Sequence, residues 1–487
     1  MPPTQLSPET RIRPSHAELA VIAAIVALGL ALRAPLLTRG FHFDELNSVI
    51  NFIEAPSAWD TISRVSAFNN HPFYSLLARG AEALFGRAEW VVRLPALLFG
   101  LVTPPLLWFS LRRATGRRPA LLAALLLATS SVHIGFSASA RGSTGLVFFT
   151  WLSSVLFLAL LRGTRDRSRL LAYSLVTALG LWIHLYAAAV FVVQGLILVL
   201  VALGEARERG LRNVLTRYGT IAGGMAGAAL LALLCYAPAL RRMAPELLTS
   251  HPHAFMPLLP LAVLSYLAGR GMTPGGFLLV AVALAGLLLG LRGRRLEGRY
   301  VALLFTLPLL GNWLTHQDTY RTRFFVFLLP FFVLGLALAT EALWRWANQV
   351  PGRARAAARA SSLAVLALPA WLWVSRPWSN VPRGGFREAT AALEAPAARQ
   401  GARIGRCAIG LGDTFYAWYA TRPILIPTSV AEFEAFLAAN DEVRCAWMDG
   451  IGNTPAHDSI GALLEHRCGP AEPYHVLQVY RCHKEAR

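Results

Sequence analysis

Charge is scarce in this chain, and acid is scarcer than base. Only 15% of its 487 residues are charged, and 27 Asp and Glu stand against 46 Lys and Arg. A soluble chain usually carries about 25% charged residues. The deficit, with 55% hydrophobic residues and a mean hydropathy of +0.47, excludes a single water-soluble domain. Cysteine is sparse too: there are five, with no Cys-x-x-Cys pair and no His/Cys spacing of the zinc type, so a zinc-thiolate centre is not expected. No internal repeat of fixed period is visible, which removes the usual sign of a transporter built from two halves. No small-residue cleavage site follows the first apolar run, so a retained first helix is expected in place of a removed signal peptide.

What the chain does have is apolar runs long enough for a hydrocarbon core of roughly 30 Å. Leu19–Leu37, Ala120–Ile134, Leu146–Leu161, Leu170–Leu185 and Val301–Leu314 are examples. Arginine falls in bursts between the runs: Arg11/Arg13, Arg112–Arg118, Arg162–Arg169, Arg207–Arg217, Arg292–Arg299 and Arg353–Arg359. Short basic loops stay in the cytoplasm. The net charge of +19 therefore reads as orientation and attraction to anionic lipid headgroups, with no nucleic-acid partner. Keeping every burst inside requires an even number of spans between bursts. The pattern predicts a polytopic α-helical membrane protein of about eleven spans in the inner or plasma membrane. Its N-terminus is expected in the cytoplasm and its C-terminus outside. His71–Phe85 and Met256–Gly269 are either spans or interfacial helices, and the charge rule prefers the second.

The expected division is a transmembrane module over 1–377, whose outer loop 38–90 carries an acidic pair, and an exported α/β domain over 378–487. The tail mixes strand-like stretches (Ala402–Leu411, His475–Arg481) with helix-like ones (Phe386–Ala397, Ser429–Ala439, Asp458–His466). Cys407, Cys445, Cys468 and Cys482 all lie there, which predicts two disulfides with three pairings open. Cys235 lies in an apolar run and reads as a packing residue.

On this topology the ionisable residues gather at the outer face. Asp44 and Glu45 follow the first span. His71 opens the interfacial segment, and Arg93 begins the second span. Arg141, then His184 and Tyr186, lie at the next outer turns. His251 and His253 occupy a longer outer loop; His316, Asp318, Arg321 and Arg323 sit at the last turn before the tail. Outer loops should be poor in arginine, and ionisable residues at membrane edges tend to mark functional sites. A carboxylate can deprotonate an acceptor hydroxyl or amine. Arginines can hold a phosphate and stabilise it as it leaves. One base opposite such a leaving group gives inversion.

The order of these motifs resembles the GT-C glycosyltransferase superfamily, in the branch of protein O-mannosyltransferases and lipid A aminoarabinose transferases. Five pieces carry the resemblance: Phe43-Asp44-Glu45; His71-Pro72-Phe73-Tyr74; Arg93-Leu94-Pro95-Ala96; Ser139-Ala140-Arg141-Gly142 with the later His184-Leu185-Tyr186; and Arg323-Phe324 through Pro330. The resemblance implies a GT-C-like fold and a polyprenyl-phosphate sugar donor. It implies Asp44 as catalytic base with Glu45 supporting it or orienting the acceptor. Arg323 or Arg321 is implied at the lipid phosphate, with His71 and Arg93 near the site. Phe73 stands where the pattern has a second proline, and Ser143 and Thr144 stand where some members carry an acid. No cofactor is assigned, and a divalent metal near Asp44 is left open. The partners expected are the lipid-linked donor, a lipid, glycan or protein acceptor, and membrane lipids. The competing readings are a flippase for polyprenyl-linked glycan, a non-catalytic envelope assembly protein, and a ligase using a pyrophosphate-linked donor.

Overall fold

The computed structural model describes residues 14–64, 70–163, 166–243, 257–269, 272–314, 319–374, 385–396, 401–410, 413–448, 454–475 and 477–483. Arg11, Arg13, His251, His253, His316 and Asp318 lie outside these residues, as does the side chain of Arg321.

A helix or bent helix pair stands on each apolar run. Ser15 caps α1 (His16–Leu37): its hydroxyl accepts from the Glu18 amide, and Glu18 accepts from the Ser15 amide. The connection to the next long helix then folds as α2 (Phe43–Ser48), a π-helical turn Val49–Ile53, α3 (Ala58–Ser63) and α4 (Pro72–Phe85). The chain returns along α5 (Glu89–Leu111). Next come α6 (Arg117–Thr129) and α7 (Ser131–Ser137), bent by 58° at Ser130. The bundle continues through α8 (Ser143–Leu161), α9 (Arg167–Ile183), α10 (Ala187–Arg209) and α11 (Leu211–Tyr236). After a short α12 (Leu259–Leu267) come α13 (Pro274–Gly290) and α14 (Arg295–Leu314). A 3-10 stretch, Thr319–Leu328, leads into α15 (Leu329–Gln349), and α16 (Gly352–Val374) closes the bundle.

The chain is a multi-pass membrane protein. Among the described residues six helices are long and apolar enough to cross a membrane, and the bent pair makes a seventh. Length and apolarity thus assign seven of the eleven expected spans. Of the rest, α9 and α13 have 17 residues each, roughly 26 Å of helix. At 14 and 9 residues, α4 and α12 reach only about 21 and 14 Å, too short to cross.

The segment Thr322–Gln349 is the centre of the bundle, with 89% of its apolar window buried. It crosses α13 with backbones in contact: a Cβ on Gly286 would fall 1.9 Å from the Gly335 carbonyl oxygen, so neither helix tolerates a side chain there. The bend at Ser130 frees carbonyls of α6. Buried Arg33 of α1 takes one of them, Ala128, at 2.9 Å and reaches His133 Nδ1 at 3.0 Å.

The tail forms a sheet domain. α17 (Phe386–Glu394) precedes β1 (Ile404–Gly410), α18 (Val430–Ala439), β2 (Glu442–Met448), α19 (Pro455–Arg467), β3 (Glu472–Tyr474) and β4 (Leu477–His483). The strand order is β1-β2-β4-β3, with β1 and β2 parallel and the other pairs antiparallel. Cys407 lies opposite Cys445 in the register and is bonded to it, and Cys468 pairs with Cys482. That settles the three pairings left open. The domain grips the connection between α1 and α5. Tyr419 Oη accepts from the Phe41 amide at 2.7 Å, Trp418 Nε1 donates to Glu54 at 2.9 Å, and Arg387 bonds the Thr38 carbonyl and Glu89.

Candidate active site

The site begins with a six-residue helix. His42 is the N-cap of α2; its Nδ1 accepts from the Glu45 amide at 3.2 Å, and Glu45 accepts from the His42 amide at 3.2 Å. Consecutive helical residues diverge by about 100°, so Asp44 and Glu45 face different surroundings.

Glu45 turns inward and is 3% exposed. Its two oxygens accept from Arg93 Nε and Nη2, both at 2.8 Å, and one accepts from the Ala140 amide at 2.7 Å. Burial pushes the Glu45 carboxyl up, but Arg93 and His42 outweigh it and hold it below its ordinary value. Arg93 is equally committed. Its Nη1 donates to the carbonyls of Leu36, Leu37 and Arg39 at 3.2, 2.9 and 2.6 Å, capping the open C-terminal end of α1. Arg93 lies near the site, as the resemblance implies, and its guanidinium ties α1, α2 and α5 together.

Asp44 turns outward and is 23% exposed. Its Oδ2 accepts from Arg323 Nη1 at 2.6 Å and lies 3.5 Å from Arg141 Nη1, an ionic contact short of a hydrogen bond. Burial raises the Asp44 pKa, and Arg141 and Arg323 more than reverse that, so the group is a carboxylate. Burial, only partly offset by Asp44, lowers the Arg141 pKa to about 10, so it remains a cation at neutral pH. Arg141 is held in place by a close approach. A Cβ on Gly142 would lie 2.6 Å from the Ile183 carbonyl oxygen and 3.2 Å from His71.

His71 and His184 sit behind this pair, ring centroids 4.7 Å apart. His71 Nδ1 donates to the Ile183 carbonyl at 3.2 Å, and His184 Nδ1 accepts from the Tyr186 amide at 3.2 Å. Both rings are neutral. Burial, then the neighbouring His184 and Arg141, pushes His71 well down; burial, then Arg141 and Arg323, pushes His184 down to about 3. Tyr186 packs on Phe324 at 4.8 Å, the residue after Arg323. The structure thus brings Asp44, Arg141, Arg323, His71, His184 and Tyr186 into one neighbourhood, with Glu45 and Arg93 as its frame.

A cavity of about 60 Å³ opens beside Asp44, Arg141 and Arg323, walled also by His42, Ser139 and Tyr266. His42 and Tyr266 were not among the sequence candidates. His42 stood two residues before Asp44, and Tyr266 lay in the segment left ambiguous. Four buried nitrogens nearby have no hydrogen-bond partner among the described residues: Arg141 Nη1, Arg323 Nε, and Nε2 of His71 and His184. Three of them, the two guanidinium nitrogens and His184 Nε2, are donors ready to bind an anion, whereas His71 Nε2, in a neutral ring whose Nδ1 holds the proton, is an acceptor. The set does not fit a divalent metal. Glu45 is consumed by Arg93, two guanidiniums flank Asp44, and the described residues contain no group of three metal-ligating side chains.

The architecture matches known proteins more widely than the sequence does. ArnT from Cupriavidus metallidurans in the apo state superposes with a TM-score of 0.63, covering 96% of this chain and 98% of that one at 15% identity. The fold is that of the GT-C glycosyltransferases. The same ArnT bound to undecaprenyl phosphate gives a TM-score of 0.55 at 14% identity, again over 96% and 98%. The archaeal oligosaccharyltransferase AglB from Archaeoglobus fulgidus, in complex with an inhibitory peptide and a dolichol-phosphate, gives 0.55 at 12% identity, covering 88% of this chain and 69% of that one. In sequence, the dolichyl-phosphate-mannose-protein mannosyltransferase family model matches residues 69–240. That stretch holds α4 to α11 of the GT-C fold, including Arg93, Arg141, His184 and Tyr186. No curated protein sequence matches the chain.

Proposed function

We propose that the chain is an inverting glycosyltransferase that moves a sugar from a polyprenyl-phosphate donor to an acceptor at the non-cytoplasmic face. The observation that carries this reading is one carboxylate, Asp44, facing two guanidiniums, Arg141 and Arg323, at the mouth of a GT-C bundle. Asp44 takes the proton from the acceptor hydroxyl or amine. The acceptor atom attacks the anomeric carbon from the face opposite the phosphate. The carbon–oxygen bond to phosphate breaks, its electron pair stays on the phosphate oxygen, and Arg141 and Arg323 stabilise the added charge. A leaving phosphate is a weak base and needs no proton from the protein.

The same arginines hold Asp44 before donor arrives. A phosphate that draws Arg323 away leaves Asp44 a stronger base, so donor binding prepares the site for the acceptor. Glu45 acts by positioning: with Arg93 it fixes α2. Arg321, the exported position of the tail domain over 378–487 and the inward N-terminus belong to the same reading. Lipid phosphates bound to ArnT and AglB support a lipid-linked donor here. The acceptor is a lipid, glycan or protein, and the sugar a hexose or pentose.

The deciding experiment is a transfer assay in proteoliposomes with a panel of polyprenyl-phosphate sugars. At least one should be consumed by the wild-type chain and none by Asp44→Asn. Transfer by Asp44→Asn at the wild-type rate would refute the mechanism.

A further inference from the structure

Two sizeable openings lie at the end of the bundle away from Asp44. A polar cavity of about 590 Å³ sits between the α5–α6 turn, the end of α13 and the last turns of α15, where Arg294, Glu341, Arg345 and Trp346 reach it. A second cavity, about 290 Å³, lies between α6, α15 and α16, walled by Leu121, Leu122, Trp344 and Leu363, with Arg118 also at its lining. The two lie on adjacent faces of α15 and share Glu341. An apolar slot and a polar pocket on either side of Glu341 together offer the two environments an amphiphile needs.

Charge decides its sign. Carboxylates at this end already have guanidinium partners: Glu18 meets Arg117 at 3.2 Å, Glu341 meets Arg345 at 2.8 Å, and Glu297 meets Arg162. Glu341 and Arg345 cancel, which leaves Arg118 at the slot and Arg294 at the polar pocket as the net positive charge of the two linings. Arg294 uses one N–H on the Ala114 carbonyl, and a guanidinium has five to give. A zwitterionic head would bring its own cation against these arginines. Trp346 is 51% exposed, as suits an aromatic at the headgroup level.

We propose that the paired cavities bind one anionic glycerophospholipid. An acyl chain fills the slot, and the phosphate rests against Arg118 and Arg294. The polar pocket is far larger than a bare phosphate ester needs, a water's share of liquid being about 30 Å³. That room favours a glycerol-bearing head over the single phosphate of a polyprenyl chain. The bound lipid would brace α15, whose leading segment carries Arg323 at the opposite end.

The test uses the full-length protein in detergent, with retained lipid counted by native mass spectrometry. Dioleoyl-phosphatidylglycerol should be retained about tenfold over dioleoyl-phosphatidylcholine, as one or two charge-assisted contacts allow. The double variant Arg118→Gln with Arg294→Gln, at one exposed and one half-buried position, should remove that preference, and Leu122→Trp should block retention without touching charge. Equal retention of the two lipids, or retention unchanged in both variants, overturns the proposal. So does displacement of phosphatidylglycerol by an equal amount of undecaprenyl phosphate, which would make the polyprenyl lipid the occupant.

Discussion

Adjacent acids in this chain should fail in opposite ways. Replace each with its carboxamide. Asp44→Asn alters a group that is 23% exposed, bonded once to Arg323, itself 35% exposed, and 3.5 Å from buried Arg141; it breaks one hydrogen bond and one looser ionic contact, where Glu45 makes a bidentate bond. The folded state should lose less stability than with Glu45→Gln. Loss of a general base lowers a rate by about 10²–10⁴, so transfer should all but vanish. Glu45→Gln alters a group that is 3% exposed and bonded to Arg93, itself 2% exposed. The amide keeps the shape but leaves the Arg93 guanidinium buried and uncompensated. Breaking one side of a buried pair costs about 3–5 kcal/mol, a large share of the roughly 5–15 kcal/mol that holds a domain. Thermal unfolding in detergent, run beside the transfer assay, separates the two. A Glu45→Gln protein as stable as wild type, or an Asp44→Asn protein that unfolds as easily as Glu45→Gln, would refute the division of labour.

Arg323→Gln should raise the Asp44 pKa by removing one of the two cations that lower it, so the acid limb of the kcat/KM profile should move to higher pH; an unmoved limb would detach Asp44 from that profile. His184 titrates near 3 when folded and near 6.5 when unfolded. Below pH 6.5 the unfolded chain therefore binds more protons, and stability should fall by about 1.4 kcal/mol per unit as pH drops toward 3. His184→Gln should flatten that slope in unfolding curves taken between pH 7 and 5. Peptide mapping without reductant should give Cys407–Cys445 and Cys468–Cys482, and Cys468→Ser with Cys482→Ser, which opens a separation of 14 residues, should weaken the tail domain by about 3 kcal/mol.

The helices were legible because apolar runs and arginine bursts are one-dimensional signals, and every expected run carries a helix. Asp44, Arg141 and Arg323 could be grouped because each sat at a connection assigned to the same face. The roles of Glu45 and Arg93 were not legible. Which of two neighbouring acids turns inward depends on the phase of a six-residue helix, and that phase is set by the His42 cap and by Arg93 sealing α1. The break at Ser130 was hidden inside an apolar run, because the Arg33 that serves it lies 95 residues before the Ala128 carbonyl it takes. In the tail, the expected strands at Ala402–Leu411 and His475–Arg481 shifted to Ile404–Gly410 and Leu477–His483. The edge strand β3 and the central β2 carried no turn signal strong enough to mark them.

The grip of the tail on the connection between α1 and α5 has a consequence for how the molecule matures. Tyr419 and Phe41 are 378 positions apart, and Trp418 and Glu54 are 364 apart. Synthesis makes the segment bearing Asp44 well before the residues that clamp it. Those residues belong to a sheet domain held by two disulfides. The clamp around the proposed site therefore closes late, after the helices between its two halves have been made.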